Sequence, residues 1–214
     1  MFNIRAYNEI SQKIKDFGKK TKIIAVSKNH SKTAVEIAIS HGIKLFGENR
    51  VQEAQAKFMD LKKKYIDLEL HLTGPLQTNK VKDAVKLFDV FHTLDREKLA
   101  KEFFKVEGIE NKKFFIQVNT GKEKTKSGIY LEELNQFINY CKIDLSINII
   151  GLMCIPPIND DPKKHFSLLA EEAKKNNLPH LSMGMSADYM DAIELNASYI
   201  RIGTALFGER KNEN

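Results

Sequence analysis

The feature that most restricts this chain is a beat. Short apolar runs rich in β-branched and aromatic residues alternate with helical segments, eight times from end to end. The runs fall at residues 22–27 (KIIAVS), 44–47 (KLFG), 69–73 (ELHLT), 89–93 (DVFHT), 114–119 (FFIQVN), 147–153 (INIIGLM), 180–185 (HLSMGM) and 198–202 (SYIRI). Between them, apolar residues recur at helical spacing over 33–40, 51–65, 79–87, 95–105, 131–140, 162–175 and 188–195. Gly42 stops the first of these helices, Asp95 is placed to cap the fourth, and Pro162 opens the sixth. The beat averages about 27 residues, the size of a βα unit.

Strands that alternate with helices make a parallel sheet with helices over it. Eight of them closing on themselves give a (β/α)8 barrel, with an open doubly wound sheet as the competing arrangement. The sequence ends too soon after the eighth run for a full helix there. Residues 3–17 supply a spare amphipathic helix at the front, placed to cover the seam between strands eight and one. No linker or composition shift divides the chain. The expected fold class is therefore α/β, a single-domain (β/α)8 TIM barrel over residues 1–214 with an extra N-terminal helix.

Composition narrows the function. The chain is 42% hydrophobic and 29% charged, as a globular core requires. No apolar stretch reaches the roughly 18–20 residues that span a bilayer. The start, Met1-Phe2-Asn3-Ile4-Arg5-Ala6-Tyr7, lacks the apolar centre of a secretory signal. Cys141 and Cys154 are too few and too far apart for a disulfide framework or a CxxC metal site. A cytoplasmic protein without membrane contact is expected. The net charge of +6 comes mostly from lysines interleaved with Glu and Asp. Clusters such as Lys62-Lys63-Lys64 and Lys174-Lys175 read as solvated helix faces, so no nucleic-acid partner is expected. The charge suits small anionic ligands equally well.

In a barrel of this kind, chemistry sits where strands end and βα loops begin. Those ends collect polar residues and glycine: Ser27-Lys28-Asn29, Gly47-Glu48-Asn49, Gly74-Pro75-Leu76-Gln77, Asn119-Thr120-Gly121, Gly184-Met185-Ser186 and Arg201-Ile202-Gly203-Thr204. Lys28 follows an apolar strand directly and would hang inside the mouth. Partial desolvation there favours the neutral amine, which attacks carbonyls to form Schiff bases. A salt-bridged lysine is the plainer alternative. Gly203-Thr204 and Ser186 offer amides and hydroxyls where barrels most often hold phosphate. Strands eight and one are neighbours in a closed barrel, so this cup lies beside Lys28. An amine next to a phosphate cup points to pyridoxal 5′-phosphate. Arg201, two residues before Gly203, shares its inward face and is placed to donate to the ring nitrogen. Met185 lies close enough to Ser186 to line the same pocket, whereas Met153 and Met183 read as core.

Other constellations fail. Residues 121–127 look like a phosphate loop, but Lys126 stands where the second glycine belongs. GxSxG is absent, and His30, His41, His71, His92, His165 and His180 form no HExxH or HxH pair. His71 sits on a strand and reads as a satisfied core histidine.

The matching stretches Ala25-Val26-Ser27-Lys28, Phe46-Gly47-Glu48-Asn49, residues 74–80 (GPLQTNK), Lys126-Ser127-Gly128, Gly151-Leu152-Met153, residues 181–186 (LSMGMS) and 201–208 (RIGTALFG) carry a resemblance over nearly the whole chain. It resembles the pyridoxal phosphate homeostasis proteins, which are similar to the barrel domain of alanine racemase. The resemblance implies that Lys28 carries the cofactor covalently and that Ser186, Gly203 and Thr204 hold its phosphate. It further implies that Arg201 faces the pyridine nitrogen and that Asn49 and Met185 line the pocket. Lys126 falls where such proteins have a second basic residue near the mouth. One departure from the racemase pattern is that the four residues after Lys28 contain no tyrosine.

An arginine at the ring nitrogen stays protonated and weakens the ring as an electron sink, so transamination and decarboxylation are not expected. Racemisation needs acid–base groups on both faces of the substrate carbon. Racemases of similar barrel take one of them, a tyrosine, from a second domain for which this length leaves no room. The expectation is a non-catalytic carrier of pyridoxal phosphate in cofactor homeostasis, delivering it to apo-enzymes, as a monomer or weak dimer. An amino-acid racemase is the alternative.

Overall fold

In the computed structural model, which describes residues 2–209, the eight runs are the strands β1 (Lys22–Val26), β2 (Leu45–Glu48), β3 (Glu69–Leu72), β4 (Val90–Leu94), β5 (Lys113–Gln117), β6 (Ile149–Met153), β7 (His180–Ser182) and β8 (Tyr199–Ile202). They follow sequence order around a closed barrel of parallel pairs. The ring closes between β1 and β8, with Ile24 opposite Arg201 and Ala25 opposite Ile202. The closed barrel, not the open sheet, is the arrangement adopted.

Around it lie α1 (Ile4–Asp16), α2 (Lys32–Ser40), α3 (Val51–Lys64), α4 (Val81–Leu87), α5 (Glu97–Phe104), α6 (Leu131–Asn139), α7 (Pro162–Lys175), α8 (Tyr189–Glu194) and α9 (Thr204–Phe207). The strand sequences are near-continuously apolar because both faces are covered. One face packs on the helices, with Ile23, Ala25, Phe46, Leu70, Phe114, Leu152, Ile200 and Ile202 buried there. The other fills the lumen with Ile24, Val26, Val90, Phe115, Met153 and Tyr199. Side chains alternate between these faces, so Arg201 shares the lumen face of Tyr199.

The N-terminal helix lies where it was expected. Asn3 caps it, its side chain accepting from the Ala6 amide, and Ile10 and Ile14 bury its inner stripe. The Asn3 amide donates to the carbonyl of Leu206 at 2.7 Å, and the Phe2 and Phe207 rings stand 5.3 Å apart. Thus α1 packs on the single-turn α9 that follows β8. Pro162 opens α7 behind an Asp161 cap, as the sequence suggests. Among the described residues no helix is long and apolar enough to cross a membrane.

Two local expectations are corrected. Asp95 does not cap α5: Arg96 holds the cap position without a side-chain bond, and the Asp95 carboxylate pairs with the Arg96 guanidinium instead. The strand β7 ends at Ser182 rather than at residue 185; backbone bonds to β8 continue through Met183 and Gly184, where the positive φ of Gly184 turns the chain toward α8.

At Gly151 the lumen face has no room for a side chain. A Cβ there would meet the carbonyl oxygen of His180 at 2.0 Å and the Phe115 ring at 2.6 Å. Gly151→Ala is therefore expected to lower stability by about 2–3 kcal/mol through overpacking, read as an earlier urea midpoint. An unchanged midpoint would contradict this packing.

Candidate functional site

The seven residues expected to hold a cofactor come together. Lys28, Asn49, Met185, Ser186, Arg201, Gly203 and Thr204 all line one cavity of about 310 Å³ at the C-terminal mouth of the barrel, with Val26, Thr73, Ile155 and Ala187 completing its wall. Lys28 reaches it from the loop that follows β1, and Arg201 from the neighbouring strand β8.

The loop that presents Lys28 is pinned on both sides. The Ser27 amide donates to the carbonyl of Gly47 at 3.0 Å, and the Ser27 hydroxyl to Oε1 of Glu48 at 2.6 Å. Asn29 adopts a left-handed backbone (φ 62°), and its amide donates to Glu53 at 2.5 Å. Beneath the loop, the buried ammonium of Lys57 donates to the carbonyls of Ser27 (2.7 Å) and His30 (3.2 Å) and contacts Glu48 (2.5 Å) and Glu53 (2.9 Å). Glu48 is fully buried, and its Oε2 lacks a hydrogen-bond partner. Burial pushes its carboxyl up to about 7, against the pull of Lys57 and Ser27. Sequence reading missed this cluster. Its only signal was the helical spacing of Glu53 and Lys57, which looks like an ordinary surface pair.

On the opposite side, Gly184 has a φ of +90°, and a Cβ there would press to 2.5 Å on that of Ala192, so only glycine makes this turn. Asp188 fastens the turn by accepting from the Met185 amide at 2.6 Å, while the Arg201 amide donates to the carbonyl of Gly184. These bonds set Met185 and Ser186 against the end of β8. There the amides of Leu206 and Phe207 return to the carbonyl of Gly203 at 2.9 Å. The amides that open such a turn have no partner within it, and Thr204 adds an exposed hydroxyl.

Arg201 supplies the site's buried cation. Its guanidinium donates to the hydroxyl of Ser182 (2.8 Å) and to the carbonyl of Cys154 (3.0 Å), which leaves further N–H donors toward the cavity. Burial lowers its pKa. Among the described residues no carboxylate forms an ion pair with it. A desolvated cation beside a cavity favours an electron-rich acceptor there.

Asn49 is held by Thr73, whose hydroxyl lies 3.0 Å from its Oδ1. Thr73 escaped the sequence reading although it ends the third run. Lys126 does not line this cavity; it pairs with Glu123 at 2.7 Å in a loop that Asn119 ties to the carbonyls of Glu123 and Lys126. Met153 and Met183 are core, as expected.

Residues 3–211 match the family described as the N-terminal domain of alanine racemase. A pyridoxal phosphate homeostasis protein of Aquifex aeolicus is 41% identical over 201 residues, covering 89% of this chain and 87% of its own length. Its counterpart in Vibrio cholerae is 38% identical over 88% and 85%. PipY of Synechococcus elongatus has been solved without PLP and with PLP bound. It is 35% identical over 88% of this chain and 93% of PipY, and the two forms superpose with TM-scores of 0.80 and 0.77. Alanine racemase of Acinetobacter baumannii shares the fold at 16% identity, with a TM-score of 0.74 over 97% of this chain and 62% of the racemase.

Proposed function

Because the chain belongs to the pyridoxal phosphate homeostasis proteins, within the alanine racemase N-terminal domain family, we propose that it binds pyridoxal 5′-phosphate at the barrel mouth, holds it on Lys28 as a Schiff base, and releases it to apo-enzymes. The observation that carries this is the convergence of Lys28, Ser186, Arg201, Gly203 and Thr204 on one cavity. When bound, the cofactor supplies an aldehyde, an anionic phosphate and a basic ring nitrogen, and this donor set matches each in kind. Lys28 offers the amine. Ser186 and Thr204, with the amides that open α9, suit the phosphate. Arg201 offers N–H donors to the ring nitrogen and, being unable to give up its proton, leaves that nitrogen unprotonated. Asn49 and Met185 form the side walls.

The same walls support holding rather than turnover. Among the described residues that line the cavity there is no His, Tyr, Cys or carboxylate, so Lys28 is the one lining side chain with the basicity to take a proton from carbon. Racemisation needs a group on each face of the substrate carbon.

The test has two arms. Protein loaded with pyridoxal phosphate is expected to restore activity to an apo-enzyme that depends on it. It is also expected to leave the α-protons of single L-amino acids unexchanged in deuterated water. Exchange at enzyme-like rates would overturn the carrier role in favour of the racemase.

A further inference from the structure

Five polar side chains touch one another in series through the lumen of the barrel. Oγ of Ser182 on β7 is 2.8 Å from Nη1 of Arg201 and 2.8 Å from Nδ1 of His92 on β4. Nε2 of His92 is 2.9 Å from Nδ1 of His71 on β3, and Nε2 of His71 is 3.0 Å from Oε1 of Glu69. Glu69 opens β3 at the far end of the barrel, where Lys113 also reaches it at 3.1 Å. The rings are held by packing: His92 stacks on Phe115 at 4.6 Å, and His71 lies 5.4 Å from Tyr199.

We infer that these residues form a one-way hydrogen-bond chain, Arg201 to Ser182 to His92 to His71 to Glu69, which positions the guanidinium at the cofactor's ring nitrogen and couples it to a carboxylate across the barrel. The part concerning the ring nitrogen rests on the function proposed above.

The direction follows from counting hydrogens. Glu69 is ionised, its carboxyl held down to about 2 by the His71 bond and by Lys113, so it only accepts. Burial keeps both histidines on the neutral side, and each therefore carries one N–H. His71 must place its hydrogen on Nε2 to serve Glu69, which leaves Nδ1 as an acceptor. His92 must then donate from Nε2 and accept at Nδ1. Ser182 gives its hydroxyl hydrogen to His92, and its lone pairs take the hydrogen from Arg201. With both imidazoles neutral, no alternative assignment satisfies every bond. With all hydrogens pointing away from the mouth, neither histidine can hand a proton toward the cofactor without reversing the whole series. Ser182, His92, His71 and Glu69 are thus positioning residues that keep Arg201 as a fixed cation.

Nitrogen NMR of the protein without added cofactor tests the direction. Both His71 and His92 are expected as Nε2–H tautomers with slowly exchanging ring protons; an Nδ1–H tautomer or an imidazolium at either would overturn the chain. Two variants then test the coupling through the absorption spectrum and affinity of added pyridoxal phosphate. Ser182→Ala is expected to shift the spectrum and weaken binding on the order of tenfold while retaining the fold. Glu69→Gln, which keeps an acceptor but removes the charge, should shift the spectrum the same way by less. Wild-type spectra and affinities in both variants would overturn the positioning role. Failure of the unaltered protein to bind pyridoxal phosphate would sink the functional assignment and the coupling together, while the tautomers would still report the chain's direction.

Discussion

Replacing Lys57 with methionine is expected to cost about 3–5 kcal/mol of stability, because it strips the cation from a buried ion pair and leaves its partners behind. The Ser27 and His30 carbonyls and the fully buried Glu48 all lose the same donor. The pH dependence carries the same signature. In the unfolded chain Glu48 titrates near its ordinary value of 4.5, and in the folded one near 7. Between those values the folded state binds more protons than the unfolded one, so this group's contribution is present below 4.5 and lost as pH rises to about 7. Denaturant unfolding of Lys57→Met at pH 7 checks the first point. A loss under about 1 kcal/mol would mean the cluster beneath the Lys28 loop does not hold it. In Glu48→Gln the downward slope over that pH window should disappear; a persisting slope would assign it to another group.

Lys28→Ala is expected to have the largest effect on ligand chemistry. Without the amine, borohydride reduction in the presence of pyridoxal phosphate should leave no covalent adduct. Stability should stay within about 1 kcal/mol of the parent, because Lys28 is only half-buried on a loop fastened by its neighbours. Weaker, reversible binding through Ser186, Thr204 and Arg201 should remain visible in a dialysis experiment. An undiminished reducible adduct would move the attachment to another lysine.

Much of this architecture is written locally in the chain. A buried parallel strand needs an uninterrupted apolar run, and all eight runs became strands of the closed barrel. The cavity residues were legible because strand ends point at the mouth and the side-chain period of two keeps Lys28, Val26 and Ile24, like Arg201 and Tyr199, on the lumen side. Relations between distant residues were not legible. Asp95 looked like a cap because the carboxylate stands just before a helix, yet its neighbour Arg96 takes it up. Ser182 and His92 are 90 positions apart, and nothing in either segment announces the other. Glu48 reads as one more charged residue after a strand, and only burial beside Lys57 gives it a role. Periodicity predicts which face a side chain occupies, but the partner on that face is set by register around the ring.

The proposed role of holding a reactive aldehyde rests on simple means: a loop clamped from below by Lys57, the Arg201 cation bonded to Ser182 and Cys154 inside the lumen, and a mouth whose described lining residues include no His, Tyr, Cys or carboxylate. The most direct measurement is peptide mapping by mass spectrometry after pyridoxal phosphate is added to the protein and reduced with borohydride. A pyridoxyl group on the peptide containing Lys28, and on no other in comparable yield, is the predicted result. A label spread over surface lysines, or absent altogether, would contradict the account.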